Sequence, residues 1–230
     1  MMKDKKIFIA CDTSNIKKVK RIIKETQKYK LIPKFGLQFF YSKNGRKFLE
    51  DFNSEFFLDI KASDIPQTIS SALISLKDLK KMKYITVMAS VGLEGLKVFK
   101  KQARKINKNL NVLGVTILTS LNNKSLKEIG YKDKVEKLVL KQAKIIKKAG
   151  LQGIVASAHE SKIIRKKYKN LFIVTPGIRL PGDKANDQLR ILTPKQAFEA
   201  DVSAIVIGRS IHSAGNIKKN IKRLIDHLNQ

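Results

Sequence analysis

An eightfold alternation of short apolar segments and amphipathic segments constrains the fold of this chain more than any other feature. Each apolar run is rich in β-branched residues, and each is followed by a segment whose apolar residues recur every three or four positions, as in a helix packed on one side. The predicted strands are residues 6–11, 31–35, 56–60, 84–89, 112–118, 153–157, 171–176 and 204–208. The predicted helices begin near Asn15, Ser42, Pro66, Leu93, Asp133, Glu160, Pro194 and Asn216.

Strands that are apolar along their whole length are typical of parallel sheets with helices on both faces. Eight such strands, each with a crossover helix, favour a closed (β/α)8 barrel of the TIM type over a doubly wound sheet, although periodicity alone does not separate the two. No linker or shift in composition divides the 230 residues. We therefore expect a single α/β domain over residues 1–230.

The formal net charge of +29 raises the question of a nucleic-acid or membrane-surface partner. Only eight of the 48 basic residues are arginines, and the lysines are spread over almost every amphipathic segment. Arginine is the residue favoured for forked contacts to bases and phosphates, so this distribution favours solvated helix faces over a dedicated nucleic-acid surface. We expect non-specific binding of polyanions at most, with no specific nucleic acid and no membrane as partner.

The N-terminal segment has a basic start and a short apolar run, but the run from Ile7 to Cys11 is too short for a signal peptide and Asp12 follows at once. No apolar run approaches the ~20 residues that span a bilayer, so the sequence predicts a soluble cytoplasmic protein. Cys11 is the single cysteine, and no His/Cys cluster has metal-ligand spacing. We predict chemistry that uses neither a bound metal nor a cofactor.

Polar side chains follow several of the predicted strands, where a barrel of this kind carries its chemistry. Charged groups at so many strand ends are not what packing alone would select. These candidate residues are Asp12, Lys34, Asp59, Lys61, Thr119, Ser120, Arg179 and Arg209.

Asp59 and Lys61 lie two residues apart, so on an extended strand both would point into the barrel mouth, near Lys34 on the neighbouring strand. The resulting acid/amine cluster favours catalysis over a purely structural ion-pair network, because burying such a network requires desolvation. Asp64 has two interpretations that the residues alone leave open. It is functional, or it or Ser63 caps the helix that begins near Pro66, and the two roles do not exclude each other.

A second group of candidates follows the last two strands. A Gly/Pro-rich stretch, residues 175–190, is longer than a simple connection and is typical of a binding loop or lid. Residues 177–190 are the candidate lid. Gly208 and Arg209 then precede a helix start. Loops after strands 7 and 8 recurrently bind phosphate in barrels, so Arg179 and Arg209, with the amide of Gln188, are predicted to bind a phosphate.

These two groups carry a family resemblance. The segment "LDIKASDIPQT" resembles the D-x-K-x-x-D-I-P-x-T signature of the orotidine 5′-phosphate decarboxylases, and "VTPGIR…GD…DQ.R..TP..A" resembles the phosphate-loop signature of their bacterial members. The likeness runs in order from Asp12 to Arg209. The first motif is shared with related phosphosugar enzymes, whereas the two motifs together are specific.

The resemblance implies a homodimer that decarboxylates orotidine 5′-monophosphate, with Lys61 as proton donor, Asp59 against the substrate carboxylate, and Asp12 and Lys34 at the ribose. It further implies that Asp64, with Ile65 and Thr68 nearby, reaches into the partner subunit's site. Ser120, or alternatively Thr119, would contact the pyrimidine, and Gln188, Arg179 and Arg209, beside Gly208, would hold the phosphate.

The sequence departs from the usual bacterial pattern at positions to which no chemistry is assigned, namely Ala62, Ser63, Gln67, Met88 and Ala156. Two other functions are alternatives. A sister phosphosugar enzyme would use Asp59, Lys61 and Asp64 to bind magnesium and stabilise an enediolate, so EDTA would abolish its activity. A basic nucleic-acid-binding protein would bind oligonucleotides with strong salt dependence, but it gives no reason for acids at the barrel mouth.

Overall fold

The computed structural model describes residues 5–183, 192–212 and 215–229. The strands form a closed, all-parallel barrel in the order β1-β2-β3-β4-β5-β6-β7-β8, which confirms the predicted (β/α)8 architecture. Within the described residues, no helix is long and apolar enough to cross a membrane. The strands are β1 (Lys6–Ala10), β2 (Ile32–Gly36), β3 (Phe56–Ala62), β4 (Met82–Met88), β5 (Asn111–Val115), β6 (Gly153–Val155), β7 (Phe172–Ile178) and β8 (Ala204–Ile207).

The helices lie between the strands, and most begin within two residues of the predicted starts. They are α1 (Ile16–Gln27), α2 (Leu37–Phe40), α3 (Gly45–Glu50), α4 (Pro66–Ile74), α5 (Gly92–Ile106), α6 (Asn123–Glu128), α7 (Val135–Lys148), α8 (Ala158–Lys167), α9 (Pro194–Glu199), α10 (Arg209–His212) and α11 (Ile217–Asn229).

Local capping explains several of these boundaries. Asn15 accepts a hydrogen bond from the Lys18 backbone N–H at the start of α1, and Thr193 forms a capping box with Gln196 at the start of α9. The sequence predicted one helix near Ser42 where α2 and α3 lie in succession, and it missed the short helices α6 and α10. Helices of four to six residues are too short to show a helical period.

Two apolar layers hold the barrel together. Inside it, Phe8, Phe57 and Tyr84 meet edge to face, with ring centroids 5.0 to 6.1 Å apart. These rings fill the interior together with Leu113 and Val174. The larger layer lies between the strands and the helices. The interior is therefore packed at its centre, and open space lies above that layer.

Candidate active site at the carboxyl ends of the strands

The carboxyl ends of the strands surround a cavity of about 630 Å³. Phe57, from the interior aromatic layer, lies at its base, and Asp59 follows two residues later on the same strand. Predicted site residues that line the cavity are Asp12, Lys34, Asp59, Lys61, Thr119, Ser120, Arg179, Gly208 and Arg209. Gln188 lies outside the described residues, as do all the residues of the predicted lid from 184 to 190.

Four of these residues form a row of alternating charges. Lys34 Nζ lies 2.9 Å from Asp12 Oδ1 and 3.6 Å from Asp59 Oδ2. Lys61 Nζ lies 2.9 Å from the same Asp59 oxygen. The order Asp12, Lys34, Asp59, Lys61 places an opposite charge next to every member, as predicted for Lys34, Asp59 and Lys61.

The row keeps its buried members charged. Burial alone would raise the pKa of Asp59, but Lys34, Lys61 and the Thr86 hydroxyl outweigh it and hold that pKa below the ordinary value. Burial would likewise lower the pKa of Lys34, yet Asp59 and Asp12 raise it above the ordinary value of 10.5. At neutral pH, Asp59 is therefore a carboxylate and Lys34 an ammonium group.

The backbone of Lys61 is not extended, so the expectation of plain strand alternation is wrong at this residue. Its φ is 48°, in the left-handed region that non-glycine residues rarely adopt, and the pairing of β3 with β4 is irregular between Leu58 and Ala62. The Lys61 side chain still meets Asp59 and lines the cavity.

Thr86 of β4 holds this irregular segment in place. Its hydroxyl accepts a hydrogen bond from the Lys61 backbone N–H at 2.9 Å and donates one to Asp59 Oδ1 at 3.0 Å. Thr86 is completely buried. Sequence analysis missed it, although a signal was present: Thr86 lies two residues after the interior residue Tyr84, so a polar group faces the barrel interior one level higher.

Gly36 makes room for the charge row at the end of β2. A Cβ atom at this position would lie 2.7 Å from Asp12 Oδ1 and 3.2 Å from Lys34 Nζ. Any side chain here would therefore displace the ion pair between Asp12 and Lys34.

A second positive region lies across the cavity, where the loops after β7 and β8 meet. The Arg179 backbone N–H donates to the Leu192 carbonyl at 3.0 Å, which closes the base of the long loop. The Leu180 backbone N–H donates to Ser210 Oγ at 3.2 Å and so joins the two loops. Arg179, which is buried, and Arg209, which is partly exposed, both line the cavity on this side.

Asp64, Ile65 and Thr68 do not line the cavity of their own chain, and all three are exposed. The Asp64 carboxylate accepts a hydrogen bond from the Ile65 backbone N–H at 2.7 Å. Helix α4 begins at Pro66 after Ile65, and no side chain caps it, so the alternative in which Ser63 or Asp64 is the N-cap is wrong.

His212 is a further cavity residue that sequence analysis missed. It lies three residues after Arg209 in α10, a spacing that places both side chains on one side of a helix. Among residues 5–183, 192–212 and 215–229, no group of three or more His, Cys, Asp or Glu side chains could hold a metal ion.

Comparison with known proteins gives a consistent result. The chain is 37% identical over 231 residues to the orotidine 5′-phosphate decarboxylase of Carboxydothermus hydrogenoformans, covering 97% of this chain and 95% of that protein. It is 34% identical to the enzyme of the same name from Coxiella burnetii, covering 90% of each.

Solved structures agree in fold. The orotidine 5′-phosphate decarboxylase of Lactobacillus acidophilus superposes with a TM-score of 0.83 at 28% identity, covering 99% of this chain and 100% of that one. The enzyme of Methanocaldococcus jannaschii, solved with the inhibitor BMP, has the same fold with a TM-score of 0.78 at 22% identity, covering 98% of this chain and 99% of that one.

A closed parallel barrel with a charged cavity at the carboxyl ends of its strands is a (β/α)8-barrel enzyme. Within that class, the chain belongs to the orotidine 5′-phosphate decarboxylase / HUMPS family, whose model matches residues 5–224. The prediction of a carboxy-lyase is confirmed at the level of this family and of the names its relatives carry.

Proposed function

We propose that the chain decarboxylates orotidine 5′-monophosphate to uridine 5′-monophosphate and carbon dioxide, in pyrimidine biosynthesis. The observation that carries this proposal is the row Asp12, Lys34, Asp59, Lys61 at the cavity, in a member of this family. Lys34 is 6% exposed, and a charged group buried to this extent is held in a fixed position, which suits a reaction that needs a fixed electrostatic field.

The chemistry requires stabilisation of a carbanion. The bond between the pyrimidine C6 and the carboxylate breaks, the electron pair stays on C6, and carbon dioxide leaves. An ammonium group about 4 Å from the developing charge, at an effective dielectric near 20, contributes roughly 4 kcal/mol before desolvation is subtracted. Lys61 supplies this field, then donates its proton to C6, and regains a proton from solvent.

The neighbours of Lys61 prepare it for this role. Asp59 stays ionised and lies 2.9 Å from the Lys61 ammonium group, so it holds that group in place at the cavity. The substrate carboxylate is repelled by Asp59, and the repulsion disappears when carbon dioxide leaves. Asp12 and Lys34 form hydrogen bonds with the ribose hydroxyls.

The opposite side of the cavity binds the phosphate. Arg179 and Arg209 lie on the two loops that recurrently bind phosphate in barrels, and their charge suits a dianion. Binding energy from this remote group supports the chemical step by holding the reacting carbon at Lys61. Thr119 or Ser120, at the cavity wall after β5, contacts the pyrimidine edge.

Each active site is shared between two chains of a homodimer. This part of the proposal is supported by the exposed segment from Asp64 to Thr68 and by Ile65, which is 66% exposed beside Asp64. An exposed acid and an apolar neighbour suit an interface, and Asp64 would give the partner's Lys61 a second acidic neighbour. Location in the cytoplasm stays a prediction.

Turnover of orotidine 5′-monophosphate tests the reaction directly. Loss of the substrate's ultraviolet absorbance is followed with and without EDTA, with Lys61→Ala as the matched inactive variant. We expect turnover that EDTA leaves unchanged and that falls at least a thousandfold in Lys61→Ala, the scale of combined electrostatic and general-acid losses. Absence of turnover, or activity that EDTA abolishes, would contradict the proposal and favour the magnesium-dependent sister reaction.

Refolding a mixture of two inactive variants tests the shared site. Lys61→Ala and Asp64→Ala homodimers are each expected to be nearly inactive. Random pairing makes about half of the dimers mixed, and each mixed dimer has one intact site, so roughly a quarter of wild-type activity returns. A mixture no more active than its parents, with subunit exchange confirmed by mass labelling, would show that Asp64 acts within its own chain.

A further inference from the structure

His212 occupies the corner of the cavity between the charge row and the loop after β8. It lines the cavity together with Arg209, and its Nε2 lies 3.5 Å from the position that a Cβ atom at Gly208 would take. Among the described residues, the imidazole has no hydrogen-bond partner. Both its accessibility to the cavity and its spare hydrogen-bonding capacity are features of a group that binds a ligand.

The charges around His212 are mostly positive. Lys18 of α1, Lys34 of β2 and Arg209 of α10 face it, and among the described residues that influence it Asp12, after β1, is the one acid. Burial, above all, and then Lys18 hold the pKa of His212 below its usual value, while Asp12 opposes them. In the free protein the imidazole is therefore neutral at neutral pH.

We propose that His212 is a proton-linked binding residue for the substrate's phosphate, acting beside Arg209. This inference rests on the proposed function for the identity of the substrate, but its chemistry requires only a dianion in this corner. A dianion compensates Lys18, Lys34 and Arg209, so their repulsion no longer opposes an imidazolium. His212 then takes up a proton from solvent and donates a charged hydrogen bond to an anion oxygen.

The direction of the pH dependence follows from linkage. Since the bound dianion raises the pKa of His212, protons and the dianion each strengthen the binding of the other. Affinity is highest below the His212 midpoint of the free protein and falls as the pH rises through the midpoint of the complex. A midpoint shift of about one pH unit corresponds to about a tenfold difference between these two limits of affinity.

Proton NMR of the imidazoles tests this without any turnover. The chain has three histidines, so His159→Gln and His227→Gln assign the spectrum and serve as controls. Inorganic sulfate is the probe, because it stays a dianion over the whole titration range, and sodium chloride at equal ionic strength is the reference. We expect sulfate to raise the His212 midpoint by about one pH unit or more, with the other two histidines unmoved.

The variant His212→Gln isolates the contribution that protonation of His212 makes to anion binding. Glutamine keeps a hydrogen-bond donor but cannot be protonated. Wild type is expected to bind sulfate more tightly at pH 6 than at pH 8, and the variant is expected not to show this increase. With orotidine 5′-monophosphate as substrate, KM is expected to rise about tenfold at pH 6 and much less at pH 8. His227→Gln is expected to follow wild type in both measurements.

An unmoved His212 midpoint at high sulfate would overturn the inference, as would equal pH dependence of sulfate affinity in His212→Gln and wild type. A purely structural role for His212 predicts those results. If the midpoint moves but orotidine 5′-monophosphate is not turned over, the proposed reaction is wrong and the dianion site stands.

Discussion

Replacing Thr86 by valine tests how the fold holds Lys61 in its reactive position. The Thr86 hydroxyl joins the Lys61 backbone N–H to Asp59 Oδ1, at 2.9 and 3.0 Å. Valine keeps nearly the same shape but makes neither hydrogen bond. The change therefore removes the link between β4 and Lys61, whose backbone, at φ 48°, is strained.

The expected magnitude follows from these two bonds. A hydrogen bond to a charged group contributes about 1.5–3 kcal/mol, and a buried N–H left without a partner costs about 1–3 kcal/mol. Burial of the valine methyl offsets about 1 kcal/mol, so the free energy of unfolding should fall by about 1.5–5 kcal/mol. If the bond to Asp59 acts fully in the transition state, kcat/KM for orotidine 5′-monophosphate falls about 10- to 150-fold.

Thr116→Val is the matched control for this substitution. Thr116 is also completely buried, and its hydroxyl donates a hydrogen bond to the Val155 carbonyl at 3.0 Å, away from the charge row. Urea unfolding and steady-state kinetics are measured on both variants and on Thr86→Ser, which restores the hydroxyl. The reasoning is refuted if Thr86→Val keeps kcat/KM within about twofold of Thr116→Val, whatever its stability.

Two further predictions concern the phosphate side and the acid limit. Arg209→Ala should raise KM strongly and lower kcat, because a charged hydrogen bond of about 1.5–3 kcal/mol is lost. Added phosphite should speed the turnover of a substrate that lacks the phosphate, and it should do so more in wild type than in this variant. Arg104→Ala, at an exposed position, is the control and should behave as wild type. Unchanged kinetics in Arg209→Ala would show that Arg209 does not bind the substrate. The pKa of Asp59 is lower in the folded protein than its value of about 3.8 in the unfolded chain, so ionisation of Asp59 stabilises the fold above about pH 4. This contribution is lost as the pH falls through the folded-state pKa. Urea unfolding between about pH 5 and 2 should show a smaller fall in Asp59→Asn than in wild type, and parallel curves would contradict the assignment.

The sequence predicted the barrel and much of the charge row, because both depend on patterns that the chain carries locally. Continuous apolar strands determine the buried sheet, and polar residues at their carboxyl ends must then gather at one rim. The proximity of Lys34, Asp59 and Lys61 follows from that geometry. The sequence also predicted that Arg179 and Arg209 lie at the cavity, since the two loops that carry them are recognisable by position and composition.

What the sequence did not predict depends on contacts between strands. The left-handed backbone of Lys61 arises where β3 and β4 pair out of register, and no local propensity signals it. Thr86 matters only because its strand is the neighbour of that segment. His212 lies in a four-residue helix, where neither periodicity nor a motif distinguishes it.

The structure gives the two lysines of the row different surroundings. Lys34 lies between two acids, and its side chain is 7% exposed, so its ammonium group is held on both sides and has little contact with solvent. Within the part of the chain that the structure describes, Lys61 pairs with one acid, Asp59, and its side chain, which lines the cavity, is 32% exposed. A proton donor must approach the substrate and must exchange its proton with solvent, and only the second lysine meets both requirements. The same asymmetry leaves one side of Lys61 for an additional acid, which is where a dimer would bring the partner's Asp64.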